Sequence, residues 1–227
     1  MKKTELFLVS NWQEQNKMEK TNRALLLAPH PDDGEFGCGG TLKKLTENGV
    51  EVFYAAFSPC IKSLPAGMPE DTLFNELKVA TGHLGIDTKN VITFKFPVRD
   101  LPQHRQTILE DLIVLRKDIR PDLVLLPNSD DVHQDHHTIY QEGVRAFKHS
   151  KLIGYELPWN NLEFTSNFHV KLERHHIKAK VQAVNEYKSQ SFRKYKDEEF
   201  LFGLAQVRGI QVNAEFAEAF ELIRWMI

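Results

Sequence analysis

The stretch LLLAPHPDDGEFGCGG (25–40) sets an apolar run directly against a histidine and three acidic residues. The run RALLLAP (23–29) is apolar on both faces and ends in proline, which predicts a strand buried in a sheet. The segment PHPDDGE that follows places charged groups at the end of this strand, where burying uncompensated charge is costly. We therefore expect the segment to bind something.

Strand and helix patterns alternate along the rest of the chain. The predicted strands are 23–29, 50–58, 91–96, 122–127 and 151–157, with a short edge strand at 168–172. The predicted helices are 37–49, 72–85, 106–120, 136–150, 176–190 and 214–227, with a mixed stretch between the last two. This alternation predicts a doubly wound α/β fold, in which helices cover both faces of a mainly parallel sheet.

The composition is that of an ordinary globular chain, with 227 residues, 41% hydrophobic and 26% charged residues and a formal net charge of -2. We expect one domain over residues 23–227, after an N-terminal extension at 1–22. The balanced charge favours no nucleic acid partner, and no apolar run approaches the ~18 residues of a membrane span. Cys38 and Cys60 are too few for a disulfide framework, so a cytoplasmic protein is expected.

A second polar cluster, NSDDVHQDHH (128–137), follows the predicted strand 122–127. Ligands of doubly wound sheets bind beyond the carboxyl ends of the strands, so we expect the two clusters to meet in one crevice. His30 and Asp33 stand three positions apart on a tight turn, which lets an imidazole and a carboxylate reach one ion. A catalytic zinc takes three protein ligands and leaves a position for water, and one histidine of the second cluster completes such a set.

The remaining polar residues suit metal-assisted hydrolysis. Asp32 is free to take a proton from water, and His133 can protonate a leaving group. Each cluster alone also fits a simpler role, as a cap at the start of a helix. Because both clusters follow predicted core strands, a shared metal site is the favoured interpretation.

The glycines of GEFGCGG (34–40) invite comparison with a dinucleotide-binding loop. The G-x-G-x-x-G pattern fails because Leu42 stands where the third glycine is needed, and no GKS or GKT follows. We expect these glycines to let the start of a helix pack close to the metal loop, with Cys38 as a small packed residue.

Four motifs resemble the PIG-L/LmbE-like deacetylase family. APHPDDGEFGCGGTL (28–42) and DVHQDHH (131–137) resemble its two main signatures, and KAKVQAVNEYKSQ (178–190) and RGIQVNAEFAEAFE (208–221) resemble its late motifs. The resemblance implies a single-domain, Rossmann-like three-layer αβα sandwich. It also implies zinc-dependent hydrolysis of N-acetyl groups from glucosamine-containing substrates, and a homo-oligomer, since relatives often form trimers or hexamers.

Carried over by position, the resemblance implies one zinc ion per chain, held by three ligands: His30, Asp33 and His136. Asp32 matches the general base of the family, and His133 matches the histidine that protonates the departing amine. Asp135 matches a carboxylate that orients that histidine. Iron or another divalent metal also suits these ligand types.

Some residue roles stay open. The family usually has its glutamate directly after the second aspartate, whereas Gly34 precedes Glu35 here, so the role of Glu35 is undecided. Leu73 stands where many members carry an arginine that contacts the substrate. Arg99 is a candidate to replace it, with a solvated surface arginine as the alternative. Trp159 is a candidate to stack on a sugar, with core or lid packing as the alternative.

The sequence therefore predicts a zinc-dependent N-deacetylase that acts on an N-acetylglucosamine-type sugar or conjugate and releases acetate. Two alternatives stay open: a zinc hydrolase of another amide or an ester, and a catalytically silent homologue that binds a glycan or a metal. Asp32 and His133, beside intact ligand positions, argue against the silent homologue.

Overall fold

The computed structural model describes residues 21–226, so the predicted extension 1–22 lies outside the described residues except for its last two positions. The strands, β1 to β7, are Arg23–Ala28, Glu51–Ala56, Val91–Thr93, Leu123–Pro127, Lys151–Tyr155, Phe168–Leu172 and Phe216–Arg224. The helices, α1 to α6, are Asp33–Glu47, Thr72–His83, Arg105–Ile119, Gln134–Ala146, Arg174–Asn185 and Glu198–Ile210.

The strands form one seven-stranded sheet in the order β3-β2-β1-β4-β5-β7-β6, with β6 at an edge as predicted. The strands from β3 to β5 pair in parallel, whereas β7 pairs antiparallel with both β5 and β6. The chain order reverses at β1, which lies between β2 and β4. This is the switch point, where the carboxyl ends of neighbouring strands leave a crevice.

An apolar core lies on each face of the sheet, and β1 contributes to both. Leu26 packs in the core formed with α1 and α2, whereas Leu25 and Leu27 pack in the core formed with α3 and α4. All three leucines are fully buried, and burying each one stabilises the fold by about 1.5–3 kcal/mol. The predicted αβα sandwich and the predicted buried strand at the start of the domain are confirmed.

The C-terminal segment differs from its prediction. The pattern AEFAEAFELIRWMI predicts a helix over 214–227, but Phe216–Arg224 forms strand β7, and Ile227 lies outside the described residues. Strand β7 fills the place between β5 and β6, with Phe216 and Phe220 fully buried. Alanine and glutamate favour a helix, but pairing on both edges and burial of the two rings outweigh that weak local preference.

Between the helices predicted at 176–190 and 214–227, the sequence pattern indicates no single type of secondary structure. The structure places helix α6 there. Its first turn is capped by the Asp197 side chain, which accepts a hydrogen bond from the backbone N–H of Glu199. Within the described residues, none of the helices combines the length and apolar character needed to cross a membrane.

A buried ion pair ties the glycine-rich helix to the C-terminal half of the chain. Helix α1 is interrupted at Cys38, and the N–H groups of Gly40 and Thr41 beyond the break donate to Glu218 on β7 at 3.0 and 2.7 Å. Lys180 on α5 places its Nζ 2.8 Å from Oε1 of Glu218, and both charged side chains are buried. These contacts hold α1 against α5 and β7.

The ion pair generates a prediction about stability. Lys180→Met is expected to lower the free energy of unfolding by about 3–5 kcal/mol, because it leaves the Glu218 carboxylate buried without its counter-charge. Urea denaturation measures the loss, and Lys178→Met, an exposed position on the same helix, is the control. A Lys180→Met protein as stable as the control would show that the backbone N–H groups alone compensate Glu218.

Candidate active site

The two polar clusters meet at the carboxyl ends of β1 and β4, as the sequence predicts. His30 lies just after β1, and His136 lies in the first turn of α4, which follows β4. Their ring centroids are 5.0 Å apart although the residues are 106 positions apart in the chain. The crevice at the switch point therefore contains the candidate site.

Three side-chain atoms form a compact triangle in this crevice. Asp33 Oδ2 lies 3.2 Å from His30 Nδ1 and 3.2 Å from His136 Nε2, and the two nitrogens are 3.1 Å apart. Tetrahedral coordination with bonds of ~2.0–2.1 Å separates neighbouring ligand atoms by about 3.3 Å. The donor triangle, as we name these three atoms, therefore fits a divalent metal ion such as zinc.

His133 lies close to the donor triangle. One of its ring nitrogens is within 4.8 Å of ligand atoms of His30 and His136, so these three histidines are a second possible donor set. Its Nδ1 accepts a hydrogen bond from the backbone N–H of Asp135 at 3.1 Å, which leaves Nε2 for other contacts. The negative charge of Asp33 and its distance of 3.2 Å from both histidine nitrogens favour it as the third donor.

Two further carboxylates orient the histidine rings. Asp135 Oδ2 lies 3.0 Å from His30 Nε2, and Asp131 Oδ2 lies 2.7 Å from His136 Nδ1. Each carboxylate accepts the N–H of one ring nitrogen, which directs the other nitrogen to the donor triangle. Asp131 is absent from the sequence-based candidates, and its only signal in the sequence is its position within the second cluster.

Asp135 has a different partner from the one expected. The family resemblance predicts that its carboxylate orients His133, but the carboxylate contacts His30 and accepts the backbone N–H of Arg99 at 2.7 Å. Only the backbone N–H of Asp135 reaches His133. The cause is local, because His133 is the N-cap of α4 and its ring faces that N–H group.

The carboxylates keep both histidines positively charged in the metal-free protein. Burial lowers the pKa of a histidine, but Asp33 and Asp135 outweigh it at His30 and raise its pKa to about 9. Asp33 and Asp131 similarly outweigh burial at His136 and raise its pKa to about 10. The site thus holds two protons, which a divalent cation can replace without changing the local charge.

Asp32 and His133 line the same cavity as the donor triangle. Burial, together with the charge of Asp33, raises the pKa of the Asp32 carboxyl to about 6. Burial and the positive charges of His136 and His30 lower the pKa of His133 to about 4, so its ring is neutral. Since its Nδ1 accepts a hydrogen bond, the neutral ring carries its proton on Nε2.

The cavity has a volume of about 200 Å³, which is below the ~300–1,000 Å³ of most small-molecule sites. Its walls combine polar side chains with apolar ones, among them Ser63, Asn160, Gln190, Leu73 and Val98. The cavity is therefore sized for one small polar unit of a substrate.

Both predicted substrate residues line the cavity. Trp159 stacks on Tyr195 with ring centroids 3.9 Å apart, and Phe36 meets both rings edge-on. Trp159 is therefore packed against other aromatic rings, as one of the two alternatives from the sequence expects, and it is still 37% exposed. Arg99 has an exposed side chain and a left-handed backbone, with φ at 66°.

Arg193 and Tyr195 also line the cavity, although neither is a candidate from the sequence. Arg193 Nε donates to Gln190 Oε1 at 3.2 Å, and its guanidinium lies 5.7 Å from the centre of the Tyr195 ring. Arg193 therefore provides a guanidinium in the same cavity that Leu73 lines. The one available signal is its position just after the late motif 178–190.

A second group of potential metal ligands, the Glu47 cluster, consists of Glu47, His175 and His176. Glu47 Oε2 lies 2.9 Å from His175 Nε2 and 3.0 Å from His176 Nε2. Because His176 Nδ1 accepts the backbone N–H of Glu173 in a capping box, its ring proton is on Nε2, where a metal would have to bind. His175 and His176 thus lie in the first turn of helix α5, where His176 takes part in capping the helix.

Known proteins with similar sequences point to one family. A sequence profile for PIG-L, described as GlcNAc-PI de-N-acetylase, matches residues 25–147. Diacetylchitobiose deacetylase from Thermococcus kodakarensis is 31% identical over 132 residues, which are 55% of this chain and 48% of that protein. The match thus spans about half the length of that relative.

Two solved structures share the fold. N,N'-diacetylchitobiose deacetylase from Pyrococcus horikoshii aligns with a TM-score of 0.75 at 22% identity, over 91% of this chain and 85% of that chain. The conserved protein TT1542 from Thermus thermophilus aligns with a TM-score of 0.74 at 26% identity, over 92% of this chain and 97% of that chain. Since the profile match also includes both polar clusters and the whole donor triangle, this chain belongs to the PIG-L family of de-N-acetylases.

Proposed function

We propose that the protein is a zinc-dependent N-deacetylase, which hydrolyses the acetamido group of an N-acetylglucosamine-type sugar or conjugate and releases acetate. The observation that carries the proposal is the donor triangle with Asp32 in the same cavity. Family membership supports amide hydrolysis, and the Thermococcus relative, a diacetylchitobiose deacetylase, supports an acetylated sugar as substrate.

The donor triangle combines two imidazoles and one carboxylate, a ligand set that zinc takes in hydrolases. Bound zinc supplies a Lewis acid, which lowers the pKa of water toward ~7 and stabilises negative charge on a carbonyl oxygen. His30, Asp33 and His136 all line the cavity, so a substrate and a water molecule in the cavity can both reach a metal ion held by the donor triangle. Iron suits these donors too, and metal analysis of the purified protein distinguishes the two.

The side chains around the triangle perform the proton transfers. Asp32 accepts a proton from the attacking water, and its raised pKa of about 6 makes it a stronger base than an ordinary aspartate while it stays ionised at neutral pH. A bond forms between the water oxygen and the acetyl carbon, and the C–N bond breaks. The proton that Asp32 has taken from the water passes to the departing nitrogen, which yields acetic acid, ionised to acetate at neutral pH, and a primary amine. His133, which the sequence proposes as the acid, has a neutral ring, so it donates a hydrogen bond from Nε2 to the reacting amide and keeps its one ring proton.

The cavity walls suit one acetamido sugar unit. Trp159 offers a partly exposed ring on which a sugar face can stack, and the guanidinium groups of Arg99 and Arg193 can hydrogen-bond to its hydroxyls or to an acidic substituent. The rest of a larger substrate would extend out of the cavity, because its volume is about 200 Å³.

We also propose one deacetylase domain over residues 23–227 and a cytoplasmic location. Cys38 and Cys60 are both free and buried, which agrees with folding in a reducing compartment. The trimer or hexamer implied by the family resemblance stays a prediction, and analytical ultracentrifugation measures it.

A substrate panel tests the function. Free N-acetylglucosamine, diacetylchitobiose, an N-acetylglucosamine nucleotide and an acetyl ester are each assayed for release of acetate and of a primary amine. We expect release from at least one acetamido sugar, abolished by a chelator and restored by zinc. Hydrolysis of the ester alone, or no hydrolysis by the zinc-loaded protein, would contradict the proposal.

The proposed base generates a second prediction. Asp32→Asn is expected to lower kcat by ~10²–10⁴-fold with little change in metal content, because the amide cannot accept the proton. Steady-state kinetics and metal analysis of the same preparation measure both quantities. Asp130→Asn, at an exposed aspartate in the second cluster, is the matched control and should keep its activity. Full activity in Asp32→Asn would assign the base to another group.

The raised histidine pKa values predict how the stability of the metal-free protein depends on pH. His30 and His136 have folded pKa values of about 9 and about 10, against 6.5 as the ordinary value. Their stabilising contribution is therefore complete below pH 6.5 and is lost as the pH rises through the folded values. We expect the free energy of unfolding to fall steadily as the pH rises from 6.5 to about 9, because the folded protein keeps both protons in this range and the unfolded chain does not.

Urea unfolding of the metal-free protein between pH 6.5 and 9 measures this dependence. The zinc-loaded protein should show a flatter profile, because the metal replaces the two protons. A metal-free protein that is equally stable at both ends of the range would show that the histidines are not held in their charged form.

A further inference from the structure

A buried hydrogen-bond network surrounds the backbone carbonyl oxygen of Pro31. The hydroxyl oxygens of Tyr54 and Tyr187 lie 2.6 and 2.7 Å from this oxygen. The same hydroxyls contact the carboxyl group of Glu35, Tyr54 at 2.6 Å from Oε2 and Tyr187 at 2.9 Å from Oε1. The three side chains are fully buried, and we name Glu35, Tyr54 and Tyr187 the Pro31 clamp.

The Pro31 clamp joins three separate parts of the fold. Glu35 lies in the first turn of α1, Tyr54 lies on β2, and Tyr187 lies just beyond α5 in the late motif. None of these three residues lines the cavity. Any effect of the clamp on the reaction therefore passes through the turn that it holds.

Pro31 stands between His30 and Asp32, and its carbonyl belongs to the peptide unit that joins it to Asp32. Because a peptide unit is planar, holding this oxygen sets the direction in which the chain enters Asp32 and then Asp33. The Asp32 carboxylate makes no capping bond to α1 that would orient it independently. The carboxyl group instead hydrogen-bonds to the backbone of residue 32 itself, so its direction follows the backbone that the clamp holds.

Gly34 provides the space for this contact. A Cβ at this position would lie 2.1 Å from Leu26 Cδ2 and 2.7 Å from the Tyr54 hydroxyl oxygen, closer than side chains permit. The backbone N–H of Gly34 instead donates to that hydroxyl oxygen at 3.2 Å. Glycine at 34 therefore lets the Tyr54 hydroxyl reach the turn. This close contact explains why the residue between Asp33 and Glu35 has no side chain.

We propose that Glu35, Tyr54 and Tyr187 are positioning residues for Asp32 and Asp33. The two tyrosine hydroxyls hold the Pro31 carbonyl, and Glu35 holds the two hydroxyls. The inference deepens the proposed function, and its catalytic consequence rests on that function. A displacement of about 1 Å at a reacting group can cost 10²-fold in rate. Loss of the clamp acts on kcat rather than on KM, because the clamp residues do not line the cavity.

The test uses Tyr54→Phe, Tyr187→Phe and the double variant, with Co²⁺ in place of zinc. In the double variant we expect kcat per bound metal to fall about 10- to 100-fold, with KM within about twofold of the wild-type value. The visible absorption bands of Co²⁺, which report the geometry of its ligands, should shift as Asp33 moves. Glu35→Gln, which keeps hydrogen-bonding groups, should retain more activity than Glu35→Leu.

Tyr155→Phe is the matched control. Tyr155 is fully buried, and its hydroxyl donates to a backbone carbonyl outside the turn, that of Leu27, at 3.1 Å. This variant should lose thermal stability as the clamp variants do, but keep the wild-type kcat and Co²⁺ spectrum. Clamp variants that behave like Tyr155→Phe in all three measurements would overturn the inference.

The two proposals can fail separately. If the wild-type protein hydrolyses no acetylated substrate, the proposed function fails. The Co²⁺ spectrum then decides the inference alone: shifted bands in the double variant support the positioning role, and unchanged bands overturn it.

Discussion

The site depends on the balance between buried carboxylates and the two histidines of the donor triangle. Asp33, Asp131 and Asp135 are all buried, and carboxylates at that depth are too costly to desolvate without a compensating charge. Either two protons on His30 and His136 or one divalent cation supplies that charge. Folding of the two strand ends and affinity for a metal are therefore two consequences of the same electrostatic requirement.

The rest of the fold serves to bring these charges together and to hold them. Parallel pairing of β1 with β4 places the two clusters side by side, although they are about a hundred positions apart in the chain. Side chains from the C-terminal half of the chain then support the turn that contains His30 and Asp33. Lys180 and Glu218 hold helix α1, and Tyr187 reaches the carbonyl of Pro31. The late motifs thus act on the site mainly through helix α1 and the backbone of the turn, with Gln190 in the cavity wall.

The sequence predicts those features whose signals are local. The apolar run of β1, the turn that follows it and the alternation of strands and helices suffice for the switch point and for the meeting of the two clusters. Strand β7 is different, because Phe216–Arg224 becomes a strand only by pairing with β5 and β6. The contacts of Asp131, Asp135 and Tyr54 likewise depend on how helices, strands and loops pack against one another. The spacing of residues along the chain does not predict these contacts.

X-ray diffraction at the zinc absorption edge, from crystals of the zinc-loaded protein, tests the central claim most directly. We predict one anomalous peak per chain, about 2.0–2.2 Å from His30 Nδ1, Asp33 Oδ2 and His136 Nε2. A peak bonded to His133 in place of Asp33, a peak only at the Glu47 cluster, or no peak would contradict the donor triangle as the metal site.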